Sequence, residues 1–491
     1  MTAFFLAAPD RAIRRRHRQQ LAQAADYASW RALARELDTA DGHDAWKADP
    51  VSSAYDYAQI QHQLAELRRW HKQGNWTQLI YSLREGLQRN LGNLANPALY
   101  RHSRLSTKTL IEDYIAEVVC LLNELCDEDI PGLSPAQKLQ FFRHTGQSFG
   151  RSSLMLSGGA NMGWFHLGVA KTLLEHDLLP RVISGSSAGA VITAWLGTRR
   201  DSELAPLFRG EDVDRHFAQW LSPREMWRQK IGMNAERMEQ FLRSNIGEYT
   251  FEEAFKKTKR FINISVSPVG SNQSPRLLNY LTTPHLLVWS AVKASCSLPG
   301  MFPPALLMRK DANGKLQPCM APTRWVDGAV ASDLPAQRLA ELYNVNHHIV
   351  SQVNPHVIPF LTDAPQSPGL SHFLGGVVKD ELRYRSKQAL QLAAYGLQHW
   401  AIRAVLDGVH GVIDQKYHGD ITLHPEAHWS DYHRVVSHLS REEFQARVHA
   451  GERATWPKLA MIRDQTLIGQ MLEECIVRVK SKRVKREAEA A

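Results

Sequence analysis

From residue 152 onward, short apolar runs alternate with helical segments, and glycine marks most changes from one to the other. That texture commits the stretch to an α/β fold, because parallel strands need crossover helices and the turns between them need backbone freedom. Residues 153–156 are predicted as a strand, followed by a glycine loop and a helix over 165–175 with Leu167, Ala170, Leu173 and Leu174 on one face. Val182 and Ile183 begin the next strand. Ile262, Ile264 and Val266 alternate with Asn263, Ser265 and Ser267, a period of two that predicts another. A helix is expected over 285–296, strands at 325–326 and 349–350, and a helix over 335–343 between them.

The ends read differently. Over residues 1–150, Ile60, Leu64, Leu67 and Trp70 recur at helical spacing, as do Ile111, Tyr114, Ile115, Val118, Val119 and Leu122, while Asp41-Gly42, Gly74-Asn75, Asn96-Pro97 and Pro131-Gly132 supply turns. Pro359, Pro365 and Pro368 mark a linker ahead of a long helical stretch over 377–406. The expected organisation is a helical N-terminal domain over 1–150, an α/β domain over 151–358, and a mostly helical C-terminal region with a basic tail over 359–491.

Composition narrows the class. Hydrophobic residues at 44% and charged residues at 22% suit a soluble globular chain of 491 residues. The five cysteines form no C-x-x-C pair and no compact cluster with histidine, which excludes a disulfide scaffold and a structural zinc site; no metal and no cofactor is implied. No apolar run reaches the ~18 residues of a spanning helix. The apolar residues Ala3 to Ala8 precede Arg14, Arg15, Arg16 and Arg18, the reverse of a secretory signal, so a cytoplasmic location is expected. The formal charge of +9 is partly gathered in that arginine run and in Arg478, Lys480, Lys482, Arg483, Lys485 and Arg486. Such ends attract polyanions; without a base-reading motif nucleic acid is not expected, which leaves anionic lipid headgroups or simply solvated helix ends that keep the protein soluble.

Gly185-Ser186-Ser187-Ala188-Gly189 lies between a strand and the apolar helical segment 190–196. A nucleophilic serine works well on such a turn, because the strained backbone exposes Oγ and the helix N-terminus favours developing negative charge. Upstream, Ser157-Gly158-Gly159-Ala160-Asn161-Met162-Gly163 also joins a strand to a helix. Backbone amides there would suit a phosphate or an oxyanion. The loop has no lysine and no phosphate-loop pattern, so with a candidate nucleophile on the following strand the oxyanion reading is preferred. Asp327-Gly328-Ala329 ends a short apolar run, where a carboxylate held within hydrogen-bond reach would serve as base.

Together these segments resemble the patatin-like phospholipase family, whose patterns are a glycine-rich oxyanion loop, G-x-S-x-G, and D-G-A/G closing a Ser/Asp dyad. Residues 291–299, leading into Phe302-Pro303-Pro304, resemble the segment ahead of the family's aspartate. The flanks Tyr27-Ala28-Ser29-Trp30, Arg89-Asn90-Leu91-Gly92, Gly419-Asp420-Ile421-Thr422 and Thr455-Trp456-Pro457 resemble the triacylglycerol lipases of lipid droplets and seed oil bodies. The resemblance implies a three-layer α/β/α catalytic domain with a central, mostly parallel sheet. It implies Ser187 as nucleophile in an elbow bounded by Gly185 and Gly189, Asp327 as base, Gly158, Gly159 and Ala160 as the oxyanion loop, and hydrolysis of fatty-acyl esters of triacylglycerol or phospholipid through an acyl-enzyme. The expected partner is a lipid at a membrane or droplet surface, held peripherally; no protein partner and no oligomeric state is predicted.

Two positions depart from the family's G-G-G-x-[RK]-G loop, Ala160 at the third glycine and Met162 at the basic residue. The alanine amide can still donate, so the oxyanion loop can survive there if the local φ is negative. A Ser-His-Asp triad remains open as an alternative, since His347, His356 and His410 follow Asp327 in the appropriate order. His166 is read as a structural hydrogen-bonding residue, Asn263 and Asn279 as buried or turn amides, and Trp164, Phe165, Trp195 and Leu196 as either core or acyl-pocket wall. An acyltransferase with the same dyad and a non-catalytic lipid-binding scaffold are the competing functions. The N-terminal segment, with Phe4, Phe5 and Leu6, is expected to lie on lipid.

Overall fold

The computed structural model describes residues 23–211, 232–270, 274–328, 333–354, 419–426 and 439–489, with a few isolated positions between them. The N-terminal apolar and arginine segments, the stretch 377–406, Ala329, His356 and His410 lie outside the described residues. By contacts the chain divides into one unit of residues 1–152 with 453–491 and a second of 153–452.

The first unit is helical. Asp26, Asp56 and Asn75 cap the helices Tyr27–Ala40, Tyr57–Lys72 and Trp76–Gly86 by accepting amides of the first turn, and Ser134 with Gln137 forms a capping box on Pro135–Phe149. Ile60, Leu64 and Leu67 are buried, as are Ile111, Tyr114, Ile115, Val118 and Leu122 of the helix Thr109–Asp127, while Trp70 and Val119 are half-buried. Residues from the two chain ends meet inside this unit. Trp456 lies 6.3 Å from both the Tyr27 and Trp30 rings, and the Arg89 guanidinium donates to Phe149 O, Gly150 O and Gln465 O at 3.2, 3.1 and 2.8 Å. The long helix Leu459–Glu489 belongs here. Among the described residues no helix is long and apolar enough to cross a membrane.

The second unit is built on a sheet in the order β4-β3-β2-β1-β8-β9, with β7 also on β3. The strands are β1 (Arg151–Leu156), β2 (Val182–Gly185), β3 (Phe261–Pro268), β4 (Arg276–Asn279), β7 (Trp325–Asp327), β8 (Val345–Ser351) and β9 (Ile421–Leu423), while β5 (Leu307–Lys310) and β6 (Leu316–Cys319) form a separate hairpin. β1, β2 and β3 are mutually parallel, β8 and β9 are parallel, and β4 and β7 run antiparallel to β3. Met155, Val182 and Val350 pack with Leu339 and Tyr343 of the helix Ala336–Tyr343 on one face. Side chains alternate across a strand, so Ile183 and Ile262 point to the opposite face. There Gly197, in the helix Ala188–Thr198, meets Ile262: a Cβ on it would lie 2.4 Å from that side chain. The sheet is therefore covered on both faces.

Two expectations differ from this arrangement. The strand β9 comes from the region expected to be a separate helical C-terminal part, and Trp164 packs 5.1 Å from Phe444 of the helix Arg441–Thr455, so the boundary expected at 358 does not coincide with an edge of the sheet unit. A three-residue strand has too little sequence to display a period. The helix expected over 285–296 starts only at Val288, because Leu286 and Leu287 bridge to Arg309 and Thr250 as extended backbone.

Candidate active site

The carboxyl ends of β1 and β2 lead into the loops that carry the glycine and serine candidates, the end of an α/β sheet where ligands bind, while Asp327 is the last residue of β7. β2 stops at Gly185, opposite Ile264 of β3, and the chain turns sharply into the helix Ala188–Thr198. Ser187 sits at the turn with φ 50° and ψ −119°, outside the regions open to an ordinary residue, at a cost on the order of 1–3 kcal/mol. Gly185 and Gly189 make the turn possible: a Cβ on Gly185 would lie 2.2 Å from Gly189 O, and one on Gly189 2.2 Å from Leu156 O.

The turn is held from outside. Ser187 donates its amide to Ser295 Oγ at 3.0 Å, and the Cys296 thiol donates to Ser187 O at 3.4 Å. Both residues lie where the helix Val288–Ser295 ends. One residue on, Ser297 O accepts the Asp327 amide at 3.1 Å. The same short segment thus touches the backbone of both dyad candidates.

Sheet register brings Asp327 to the same place. β4 occupies one flank of Val266, so Asp327, which also pairs with Val266, lies on the flank that β2 occupies as far as Ile264. Two residues of strand separate these positions, roughly 7 Å. Asp327 is buried and fills the slot that opens where β2 turns away. Burial first, and the Asp327 charge second, push the Cys296 thiol far above its ordinary range, so it stays protonated.

The glycine loop departs from expectation in two ways. The Gly158 amide donates to Asp333 Oδ1 at 2.9 Å, so it is engaged away from any reacting group, whereas Gly159 and Ala160 are half-exposed. Ala160 has φ 45°, so the negative φ set as the condition there is not met, and Gly159 has φ 150° with its α-carbon pressed on Val353, where a Cβ would meet Cγ2 at 2.7 Å. The loop begins a short helical turn, Ala160–Gly163, and the left-handed alanine is what bends the chain into it. At the position where the family's loop carries a basic residue, Met162 receives the Arg447 guanidinium against its sulfur. A cation therefore stands beside the loop although the loop itself has none.

His166 is fully buried below the loop. Its Nε2 lies 2.9 Å from Ser157 O, which can only accept, so Nδ1 is the acceptor facing Ser351 Oγ at 2.7 Å. Burial lowers its pKa to about 4 and keeps the ring neutral, the structural role expected. His347 is buried within β8, four residues before the strand's carboxyl end at Ser351. Asn263 Nδ2 donates to Ile183 O and Phe261 O, while Asn279 Oδ1 accepts the Leu281 and Thr282 amides of a turn.

An apolar cavity opens at Ser187. Its walls are almost wholly apolar and include Trp164, Val191, Met238, Phe241, Leu242 and Met301. Of the four large residues left between core and wall by the sequence, Trp164 is in the wall, and Phe165, Trp195 and Leu196 are buried core. The residue that sequence reasoning missed is Asp333. In sequence it is an ordinary acid ahead of Leu334-Pro335; only the fold brings it to Gly158.

The family described as patatin-like phospholipase matches residues 154–340, and a domain of unknown function, DUF3336, matches residues 8–147. The chain is 36% identical to the triacylglycerol lipase SDP1L of Arabidopsis thaliana over 96% of its own length and 60% of that protein's. It is 34% identical to triacylglycerol lipase 4 of Saccharomyces cerevisiae over 95% of itself and 53% of that chain. With triacylglycerol lipase ptl3 of Schizosaccharomyces pombe the identity is 31%, covering 94% and 97%. The chain thus spans little more than half the length of the first two relatives and nearly all of the third. Among solved structures, VipD from Legionella pneumophila matches at 12% identity and a TM-score of 0.28, over 62% of this chain and 67% of that one.

Proposed function

We infer, from the premise that this chain belongs to the patatin-like phospholipase family in the branch where a DUF3336 domain precedes the patatin domain, that it is a serine acyl hydrolase acting on fatty-acyl esters of triacylglycerol or related lipids. The observation that carries the reading is Ser187, held at positive φ at the mouth of an apolar cavity, with a buried carboxylate beyond the same strand end. In this reading Ser187 Oγ attacks the ester carbonyl carbon as its proton passes to Asp327. The amides of Gly159 and Ala160 donate to the tetrahedral oxyanion, and the cavity takes the acyl chain. The C–O bond then breaks, the departing alcohol takes the proton from Asp327, and the acyl group stays on Ser187. Water attacks that ester in turn, gives its proton to Asp327, and the fatty acid leaves as Ser187 regains its hydrogen.

The test is fatty-acid release from triolein emulsion and from phosphatidylcholine vesicles. Ser187→Ala and Asp327→Asn are each expected to lose activity by about 1,000-fold or more while staying folded. Substantial activity in Asp327→Asn would move the base elsewhere and return a histidine triad to consideration. Acyl esters of an added alcohol as the main product would make the protein a transferase.

A further inference from the structure

The acid at 333 has no part in the reaction just described, yet it is fixed in the middle of the site. Asp333 is 1% exposed. Its Oδ1 accepts the Gly158 amide at 2.9 Å and its Oδ2 accepts from Asn354 Nδ2, directly after β8. Val353, beyond the same strand end, donates its amide to Ser157 Oγ at 2.9 Å, and within the loop Ser157 Oγ donates to Gly158 O at 2.9 Å. Asp333 alone of these comes from the chain segment that also carries Asp327, six residues earlier.

We propose that Asp333 is a positioning residue for the hydrolysis: by holding the Gly158 amide it fixes the glycine loop against the segment that bears the base, and leaves the amides of Gly159 and Ala160 to face the oxyanion. The assignment rests on the Ser187 and Asp327 reading given above. Gly158 and Asn354 donate to the two carboxylate oxygens, so removing the side chain leaves the buried Gly158 amide without that acceptor, one residue from Gly159 and two from Ala160. Donors to an oxyanion act only where the charge develops, and a displaced loop therefore slows the chemical step without loosening the ground-state complex.

The experiment measures kcat and KM on a soluble short-chain p-nitrophenyl ester for wild type, Ser187→Ala, Asp333→Ala, Asp333→Asn and Asn354→Ala, with folding checked by thermal melting. Asp333→Ala is expected to lower kcat about 100-fold or more, the loss typical of a missing oxyanion donor, with KM within about 3-fold. Asp333→Asn keeps an oxygen for the Gly158 amide and is expected to retain at least about a tenth of wild-type kcat. Should Asp333→Ala not fold, Asn354→Ala carries the test, with a fall in kcat of about 10-fold and KM unchanged. A folded Asp333→Ala with kcat near wild type, a change confined to KM, or an Asp333→Asn as slow as the alanine variant overturns the assignment. With Ser187→Ala inert, any of these outcomes removes only the role of Asp333; an active Ser187→Ala removes the dyad and this proposal together.

Discussion

The Ser187 amide donates to the Ser295 hydroxyl at 3.0 Å, one of two supports, with the Cys296 thiol on Ser187 O, that reach from outside the turn to a backbone held at φ 50°. Strained conformations persist where surrounding structure over-determines them. Ser295→Ala removes the acceptor and leaves a buried amide unsatisfied. Its kcat is expected to fall about 10-fold, with stability lowered by about 1–2 kcal/mol. Ester kinetics with a urea melt on the same preparation check both numbers; unchanged kcat would show that the turn needs no such support.

The cavity wall predicts chain-length selectivity. Val191 lies one helical turn beyond Ser187, so Val191→Phe intrudes on the acyl side of the reacting carbonyl. Activity on an oleoyl ester is expected to fall at least about 10-fold relative to an acetyl ester, since a pocket lacking the room rejects the added methylenes. Equal losses on both esters would place the acyl chain elsewhere.

Two buried groups titrate in overlapping ranges with opposite consequences for stability. Burial first, and the Asp327 charge besides, raise Asp333 from 3.8 to about 7, against the Gly158, Ser186 and Asn354 donors that lower it. Its stabilising contribution is complete below its unfolded pKa and is lost as pH rises through about 7. Burial lowers His166 from 6.5 to about 4, so its contribution is present above 6.5 and lost as pH falls through about 4. Relative to wild type, Asp333→Asn should therefore gain stability as pH rises from 4 to 7, by a few kcal/mol at most. His166→Gln should gain relative to wild type as pH falls from 6.5 to 4. Denaturant melts at pH 4.5, 5.5, 6.5 and 7.5 read both slopes, and parallel curves for all three proteins would contradict the assignment of either group.

The elbow predicts a sharp steric limit. Gly185→Ala drives a methyl to 2.2 Å from the Gly189 carbonyl, a contact only backbone movement can relieve. The expected outcome is loss of soluble protein, or a folded protein with kcat reduced about 100-fold or more because the nucleophile is displaced. A fully active Gly185→Ala would mean that the turn relaxes more freely than its packing indicates.

These residues also explain what was legible in the sequence. Ser187, Gly185 and Gly189 could be read because a strained turn against neighbouring backbone needs glycine at fixed offsets, a demand written locally. Asp327 could be read only in their company, since its position depends on pairing with β3 some sixty residues away. The conformations of Gly159 and Ala160 were not legible, because their φ values follow from the press of Val353 and from the turn that begins there. Asp333 left no mark: a buried anchor and a helix-preceding surface acid look alike in one dimension. The same holds for β9, whose three residues pair with a strand seventy residues earlier.

That strand has a practical consequence for anyone shortening the chain. Ile421–Leu423 closes the outer side of β8, pairing Ile349, Val350 and Ser351 with Ile421, Thr422 and Leu423. A protein ended at the prolines after residue 358 would keep Ser187, Asp327 and Asp333 but expose the bare amides and carbonyls of a hydrophobic strand. Such a rim recruits other chains. Fragments cut there should precipitate or self-associate, so the span needed for a soluble piece reaches at least to the outermost strand, well beyond the last candidate site residue.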